Sequence, residues 1–222
     1  MIWQKAVAIL IGYGFGLFQT AFIIGKLNHI DIRDYGSGNS GTTNAMRTLG
    51  KKSGFLTYFG DMFKAVLAIS VTYFLFSKNC NDHQFLIALY TGFGAILGHN
   101  FPFYMNFRGG KGIATFSGLV IGLLMFDWKF FAFGFVIFFG TLLITKYVSL
   151  SSLVLMFCFF VEMVVFGQLK MIHGLHDSDR LEAYILAFVL MALSFIRHRA
   201  NIKRLLSGTE RRVGDKKEAK HV

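Results

Sequence analysis

The sequence predicts an all-α integral membrane protein with seven transmembrane helices, its amino terminus outside and its carboxyl terminus in the cytoplasm. Hydrophobic residues make up 54% of the 222 residues and charged residues only 16%, whereas soluble domains carry about 25% charged residues. Long apolar runs alternate with short polar loops along the chain. Lysine and arginine are concentrated in every second loop, which is the pattern that orients membrane proteins.

The apolar runs cover residues 6–25, 54–76, 84–105, 113–126, 130–145, 148–167 and 183–196. Crossing a bilayer takes about 20 apolar residues, so the fourth, fifth and seventh runs are expected to extend into their flanking loops. The first run is typical of a signal peptide in length but lacks a small-residue cleavage site, so we expect a retained span. We therefore predict one membrane domain, 1–222, with a short basic tail at 197–222.

The positive charges set the orientation. Seventeen lysines and arginines fall in the loops 26–53 and 106–112, at the turn 146–149 and in the tail, and five fall on the opposite side. The richer side is expected to be cytoplasmic, and it also holds most of the polar, glycine-rich sequence. The formal charge of +11 is then best explained by topology, lipid headgroups or anionic substrates rather than nucleic acid. Two cysteines, Cys80 and Cys158, form no metal-binding pattern, and we expect no metal or organic cofactor.

One stretch, residues 98–115, joins the third and fourth runs through Gly109-Gly110-Lys111-Gly112. Glycine amides, a lysine and the start of a helix together favour anion binding. Taken alone, these four residues are more often a flexible turn between two helices. Within this stretch His99 and Thr115 are further candidates, although a histidine at a helix end is often only an interfacial residue.

Other polar stretches are candidates for the same site. Residues 36–47 are dense in hydroxyl and amide donors and end in Arg47, whose planar fork suits phosphate; surface flexibility is the alternative. Ser149 opens a run, where serine commonly caps a helix. His198 and Asn201 are three apart and share a helical face, while the cations beside them are also explained as topology anchors.

Small and charged residues inside the runs have structural explanations. Glycines at 12, 14 and 16 and at 92, 94 and 98 suit close helix packing. Asp61 and Lys64 are three apart inside the second run, and buried charges are costly unless paired. We expect them to face each other or the site, and we favour a structural contact.

Three segments together resemble the bacterial acyl-phosphate-dependent glycerol-3-phosphate acyltransferases. They are Gly36-Ser-Gly-Asn…Thr43-Asn…Arg47, Gly98-His…Phe-Pro…Gly-Gly-Lys-Gly-Ile-Ala-Thr115, and His198-Arg-x-Asn-Ile…Gly208-Thr-Glu210. They occur in the family's order, and the resemblance covers nearly the whole chain. Arg108 stands where the family usually has lysine.

The resemblance implies a multi-pass enzyme of the bacterial cytoplasmic (inner) membrane whose active site faces the cytoplasm. It implies transfer of a fatty acyl group from acyl phosphate to the sn-1 hydroxyl of glycerol 3-phosphate, the first acylation of phospholipid biosynthesis. The products are 1-acylglycerol 3-phosphate (lysophosphatidic acid) and phosphate. Membrane lipids and the soluble enzyme that supplies acyl phosphate are further expected partners.

Site residues follow from the motif positions. The catalytic set carried over is Ser37, Arg47, Lys111, Ser149, His198 and Asn201. The substrate-binding set is Gly38, Asn39, Thr43, Asn44, His99, Gly109, Gly110, Gly112 and Thr115. Our hypothesis is that the glycines with Lys111 and Ser37 hold acyl phosphate, and that the other catalytic residues hold glycerol 3-phosphate. The proton acceptor is His198 or a substrate phosphate oxygen, and the sequence leaves both open.

Three alternatives remain at this stage. His29 and Asp34 have the spacing of acyl-thioester-dependent acyltransferases, a short pattern that is common by chance. An organophosphate transporter predicts cations near mid-membrane and an internal repeat, and apart from Lys64 neither is found. A polybasic membrane scaffold leaves both glycine-rich motifs unexplained.

Overall fold

The computed structural model describes residues 1–78 and 81–215, and the regular structure in this part of the chain is entirely helical. The α-helices are α1 (Ile2–Gly16), α2 (Thr20–Leu27), α3 (Thr42–Leu49), α4 (Lys51–Phe76), α5 (Gln84–Asn100), α6 (Ile113–Gly122), α7 (Lys129–Thr145), α8 (Val148–Gln168), α9 (Arg180–Arg197) and α10 (Arg199–Leu206). Short 3-10 helices cover Ile32–Asp34, Asn81–His83, Phe103–Met105, Leu123–Met125 and Asp177–Asp179. Cys80 and the tail residues 216–222 lie outside the described residues.

Every predicted apolar run is helical, but two runs are interrupted at points that hydropathy does not mark. The first breaks at residues 17–19, where Gln19 is extended before α2 begins. The third ends at Asn100 because Phe101 precedes Pro102, and the residue before proline disfavours helix. Just after the last run, the chain bends by 63° between α9 and α10. The loop 26–53 is itself largely helical, since it contains α3.

Length and composition identify fewer spans than the sequence predicted. Among the described residues three helical segments are long and apolar enough to cross a membrane: Ile2–Leu27, Lys51–Phe76 and Val148–Gln168. The bent pair α9–α10 makes a fourth if it counts as one span, and α5, α6 and α7 are shorter. Seven spans therefore stay a prediction.

Helix α5 is the centre of the bundle, with fourteen of its seventeen residues buried. It lies against α1 backbone to backbone. A Cβ on Gly12 would lie 2.1 Å from the Thr91 carbonyl oxygen, and one on Gly98 would lie 2.3 Å from that of Tyr13. The predicted packing role of the glycines is thus confirmed there, but it is wrong for Gly14, where a Cβ would meet no atom within 4 Å. This close approach fixes the end of α5, and with it His99.

The loops gather at two ends of the bundle. At one end Glu210 accepts a hydrogen bond from Ser149 at 2.8 Å, the Val213 amide donates to the Lys146 carbonyl at 2.8 Å, and Lys111 contacts α10. At the other end Lys5 pairs with Glu182 at 2.6 Å and His83 with Asp179 at 2.7 Å. The loops grouped by the charge count therefore do lie together, while the side that each end faces stays a prediction.

The α1–α5 contact yields a stability prediction. Gly12→Ala places a methyl group against backbone that has no room to move, and overpacking of this kind costs about 1–3 kcal/mol. We expect a lower midpoint of thermal unfolding in detergent for Gly12→Ala, and no loss for the matched variant Gly14→Ala on the same helix. Equal midpoints for the two variants would contradict the close approach.

Candidate active site

Lys111 links the second and third sequence motifs. It lies immediately before α6, where Gly112 takes a left-handed backbone conformation with φ of +84°. Its ammonium group donates a hydrogen bond to the Oδ1 of Asn201 on α10. Burial lowers the pKa of Lys111 to about 8; Glu210 acts in the opposite direction, and the positive charges of Arg204, Arg197 and Arg47 lower it further. Lys111 therefore occupies a crowded cationic site.

Glu210 is the acidic partner that holds this site together. Its Oε1 accepts hydrogen bonds from Asn201 at 2.6 Å and Ser149 at 2.8 Å, and its Oε2 accepts one from Arg204 at 2.6 Å. Burial raises the pKa of Glu210, but these three hydrogen bonds outweigh burial and hold the pKa below its usual value. Because the Asn201 amide nitrogen donates to Glu210, its oxygen is turned toward Lys111.

Arg47 brings the first motif into the same electrostatic field. It lies in the last turn of α3. Burial lowers its pKa, the charges of Arg211 and Arg204 lower it further, and Glu210 opposes them. Clustered cations around one carboxylate suit a site that binds more than one negative charge.

His198 lies at the bend between α9 and α10 and is buried. Its Nδ1 lies 2.8 Å from the Ser194 carbonyl oxygen. A carbonyl accepts only, so the neutral ring carries its proton on Nδ1 and leaves Nε2 as an acceptor. That tautomer suits a proton acceptor.

The glycine loop differs from the anion cradle that the sequence predicted. The amides of Gly109 and Gly110 donate to the carbonyls of Asn100 and His99, at 3.2 and 3.1 Å. Their own carbonyls accept hydrogen bonds from Arg197 at 2.8–2.9 Å. These two amides are therefore not free for a ligand. Within the described chain, the amides of Lys111 and Gly112 have no hydrogen-bond partner, and they precede the positive end of α6.

The two glycines are instead required by close packing. A Cβ on Gly110 would lie 2.0 Å from Nε2 of His99, and one on Gly109 would lie 2.0 Å from the His99 carbonyl oxygen. The loop thus folds back on the end of α5 and packs against the His99 ring. Thr115 and Asn100 are fully buried beside it, and their side-chain polar atoms have no partner within the described residues.

The first motif is only partly joined to the rest. Asn44 is structural, since it accepts from the Ser37 amide at 2.8 Å and donates to the Ile32 and Tyr35 carbonyls at 3.0 Å. Gly38 is an exposed left-handed turn residue with φ of +69°. In residues 1–78 and 81–215, no hydrogen bond joins Ser37, Gly38, Asn39 or Thr43 to Lys111, Asn201 or Glu210. The roles of these four residues stay predictions.

Sequence reasoning missed three residues. Arg197 reads in the sequence as a topology anchor, but it clamps the glycine loop and stacks over Phe101 at 5.2 Å. Glu210 lies within the third motif and received no role there, although a carboxylate among cations is a signal. Gln19, a fully buried amide inside an apolar run, accepts from Ser40 at 3.4 Å and donates to the His99 carbonyl at 3.0 Å. It thereby links the first two motifs.

Comparison with known proteins identifies the family of this chain. The sequence profile of the family described as "Glycerol-3-phosphate acyltransferase" matches residues 6–208. The chain belongs to that family. A glycerol-3-phosphate acyltransferase of Clostridioides difficile is 37% identical over 98% of this chain and 99% of its own length, and one of Macrococcus caseolyticus is 37% identical over 96% and 100%.

A solved structure shares the fold as well. The crystal structure of PlsY (YgiH), an integral membrane glycerol 3-phosphate acyltransferase in its glycerol 3-phosphate form, is similar with a TM-score of 0.78 and 32% identity. The similarity covers 95% of this chain and 96% of that one. The lysophosphatidic acid form of PlsY is similar with a TM-score of 0.76. Family membership thus extends over the whole helical bundle described above.

The acyl-thioester pattern finds no support in the geometry. His29 and Asp34 are both exposed, and His29 has a positive φ of 59° in the turn after α2. No hydrogen bond joins them in the described part of the chain. A histidine and an aspartate that act as a catalytic pair must lie within hydrogen-bond reach of each other, so His29 and Asp34 lack the required contact.

The Glu210 network yields a second prediction. In Glu210→Gln an amide group faces Arg204, and the charge-assisted hydrogen bonds are lost, at a cost of about 1–3 kcal/mol. We expect a lower midpoint of unfolding in detergent. The matched variant is Asp177→Asn, which removes a carboxylate paired with Arg180 at an exposed position on the other end; it should cost less than about 0.5 kcal/mol. Similar losses for both variants would contradict the role assigned to Glu210.

Proposed function

We propose that this chain transfers a fatty acyl group from acyl phosphate to the sn-1 hydroxyl of glycerol 3-phosphate. The observation that carries the proposal is the convergence of Lys111, Asn201, Ser149 and Glu210 in one hydrogen-bonded network at one end of an apolar bundle. Arg47 and Arg204 add positive charge to it. Both proposed substrates carry phosphate, and this network belongs to a family named for glycerol 3-phosphate.

The proposed reaction is a direct displacement. The hydroxyl oxygen of glycerol 3-phosphate attacks the acyl carbonyl carbon, and the new ester bond forms. The bond between that carbon and the phosphate oxygen breaks, and phosphate leaves with the bonding electrons. The hydroxyl proton goes to Nε2 of His198 or to a phosphate oxygen. Orientation of two bound reactants is worth about 7–11 kcal/mol of barrier, so the reaction requires no acylated residue.

Lys111 is proposed to bind phosphate together with the acceptor-binding residues. Because Lys111 contacts Asn201, the residues proposed to bind acyl phosphate and those proposed to bind glycerol 3-phosphate form one continuous site. Lys111 and Gly112 lead to the positive end of α6, Asn201 accepts a hydrogen bond from the Lys111 ammonium, and Arg47 acts on Lys111 through its charge. We assign Lys111 the charge that stabilises the leaving phosphate, and Arg47, Ser149 and Asn201 the phosphate of the acceptor.

The membrane arrangement is part of the proposal. With seven spans the network would lie on the cytoplasmic side, where water-soluble glycerol 3-phosphate and a soluble enzyme supplying acyl phosphate have access. The network's end of the bundle carries the excess of positive charge, which supports this orientation. The chain would then lie in the bacterial cytoplasmic membrane with its tail in the cytoplasm.

An apolar groove between α1 and α4 is the proposed place for the fatty chain. Its volume is about 730 Å³, and its lining includes Phe15, Phe18, Phe63, Leu67 and Lys64. It follows α4 from Gly60 to Val71, which is about 17 Å at 1.5 Å per residue. Lys64 also contacts His99, so the groove is one imidazole ring from the glycine loop.

The decisive experiment uses the purified full chain in detergent with acyl phosphate and glycerol 3-phosphate, scored for lysophosphatidic acid. Acyl-CoA and acylated acyl-carrier protein serve as alternative donors, and we expect product only when acyl phosphate is the donor. Lys111→Met should reduce turnover by at least about a hundredfold, since it removes a charge aimed at the leaving group. His29→Ala should retain activity. No product from acyl phosphate, or full activity in Lys111→Met, would refute the proposal.

A transporter predicts a different outcome. In proteoliposomes it would accumulate labelled glycerol 3-phosphate without forming product, whereas the proposed enzyme forms lysophosphatidic acid and accumulates no soluble label.

The charge of Lys111 yields a pH prediction. Binding of phosphate needs the protonated form, and the pKa of Lys111 is lowered to about 8. Because the pH dependence of kcat/KM reports the pKa values of the free enzyme, kcat/KM should be at its maximum well below pH 8. It should fall as the pH rises through that value. Lys111→Arg keeps its charge, because the guanidinium pKa exceeds 12. Its alkaline decline should therefore disappear, even if its maximum is lower; an identical decline in both proteins would contradict the assignment.

A further inference from the structure

A buried polar cluster on α4 lies outside the network described so far. Asp61 and Lys64 are 1% and 4% exposed, within an otherwise apolar helix. The Lys64 ammonium lies 2.9 Å from Oδ1 of Asp61, 2.7 Å from the Phe18 carbonyl oxygen and 2.8 Å from Nδ1 of His99. An ammonium has three N–H donors and no acceptor. All three donors of Lys64 are therefore engaged.

This geometry selects one form of the His99 ring. Beside the Asp61 carboxylate, Lys64 is a cation and can only donate, so Nδ1 of His99 must accept. A neutral imidazole carries its single proton on the other nitrogen. The His99 ring is thereby held with its proton on Nε2. Its carbonyl is also held, by the Gln19 side chain and the Gly110 amide.

The protonated nitrogen is directed at the glycine loop. His99 is 2% exposed, and its Nε2 lies where a side chain on Gly110 would begin, 2.0 Å from that Cβ position. No hydrogen bond from Nε2 is formed within residues 1–78 and 81–215. At this position it faces the loop that leads to Lys111 and the start of α6.

A purely structural role leaves part of this arrangement unexplained. Asp61 accepts from the Thr20 hydroxyl at 3.1 Å, and Lys64 donates to Phe18, so the pair bridges the break between α1 and α2. A buried ion pair is nevertheless weak as a source of stability, because desolvation offsets attraction. Bridging the break also requires no histidine. The third Lys64 contact, to His99, satisfies the last donor of the ammonium and also fixes the ring.

We infer that Asp61 and Lys64 are positioning residues that fix His99 in the form protonated on Nε2, so that His99 donates a hydrogen bond to the phosphate of the acyl donor. The inference deepens the proposed function and rests on it for the identity of the anion. His99 is then the member of the cluster that touches the phosphate, whereas Lys64 lines the groove proposed for the fatty chain. Asp61 holds Lys64, and Lys64 holds the ring.

The first test does not depend on activity. Protein labelled with 15N-histidine is measured by NMR in detergent, and the His99 signals are assigned by their loss in His99→Gln. The one-bond coupling and nitrogen shifts show which ring nitrogen carries the proton. We expect the proton on Nε2 in the wild type and a mixture of both forms in Lys64→Met. A proton on Nδ1 in the wild type would overturn the inference.

The second test compares two replacements of His99. A glutamine amide nitrogen reaches about the position of Nε2 and preserves a donor there, whereas an asparagine amide ends near Nδ1 and offers none. We expect kcat/KM for acyl phosphate to fall about ten- to a hundredfold in His99→Asn, the range for one hydrogen bond to a charged group. His99→Gln should retain clearly more of it. Equal losses in the two variants would overturn the inference.

The third test separates positioning from support of the helix break. Thr20→Val removes a contact of Asp61 without touching His99, and should keep kcat/KM for acyl phosphate within about twofold. Lys64→Met should lower it at least about tenfold. Equal losses in these variants, or an unchanged His99 signal in Lys64→Met, would overturn the inference. If Lys64→Met does not fold, the wild-type spectrum and the His99 pair still decide. A wild type that forms no product refutes the proposed function instead, and the spectrum still reports the tautomer.

Discussion

Positive charge crowded around a single carboxylate is the constraint on which the site depends. The positive charges of Arg47 and Arg204 lower the pKa of Lys111, and that of Arg204 lowers the pKa of Arg47. In the described residues Glu210 is the anion that offsets these charges, by a hydrogen bond to Arg204 and by electrostatic attraction to Lys111 and Arg47. Such a cluster repels itself when no ligand is bound. Glu210 offsets part of that repulsion and also turns the Asn201 amide. One carboxylate thus sets both the charge and the geometry of the network.

The apolar bundle makes this network possible because its packing brings the segments that carry the network to the same end of the bundle. Glycines let α1 and α5 approach until a Cβ would strike backbone, and this close packing determines where α5 ends. The glycine loop then folds back over His99, and Arg197 clamps its two carbonyls. A loop held from both sides cannot also offer those amides to a ligand. Its contribution is to place Lys111 and the start of α6.

The sequence predicted the class of the fold and most of the network, and the failures have physical reasons. Hydropathy located each helical run, but the break at residues 17–19 depends on tertiary contacts such as those of Gln19 and Lys64, and the bend at His198 lies beyond the last apolar run. Glycine-rich composition indicated an anion cradle, because free glycine amides bind anions. It could not show that the carbonyls of His99 and Asn100 would accept those hydrogen bonds, since that pairing depends on how the loop folds against α5.

Cations posed a similar problem. Counting lysines and arginines orients the chain but treats Arg197 and Arg199 alike, although the bend after α9 turns only Arg197 onto the glycine loop. Asp61 and Lys64 were recognised as a pair from their spacing. Their third partner, His99, is thirty-five residues away, and spacing within one helix carries no information about it.

Two lysines, the buried Lys64 and the half-buried Lys111, show how one residue type acquires opposite roles. Lys64 has three acceptors around three donors, so it has no capacity left for a ligand and acts only on its neighbours. Lys111 has one hydrogen-bond partner in the described chain, Asn201, which leaves two donors. Burial and neighbouring cations lower its pKa to about 8. A bound anion raises that pKa again and so favours the protonated, charged form. The count of satisfied donors therefore distinguishes the lysine that positions from the lysine that binds.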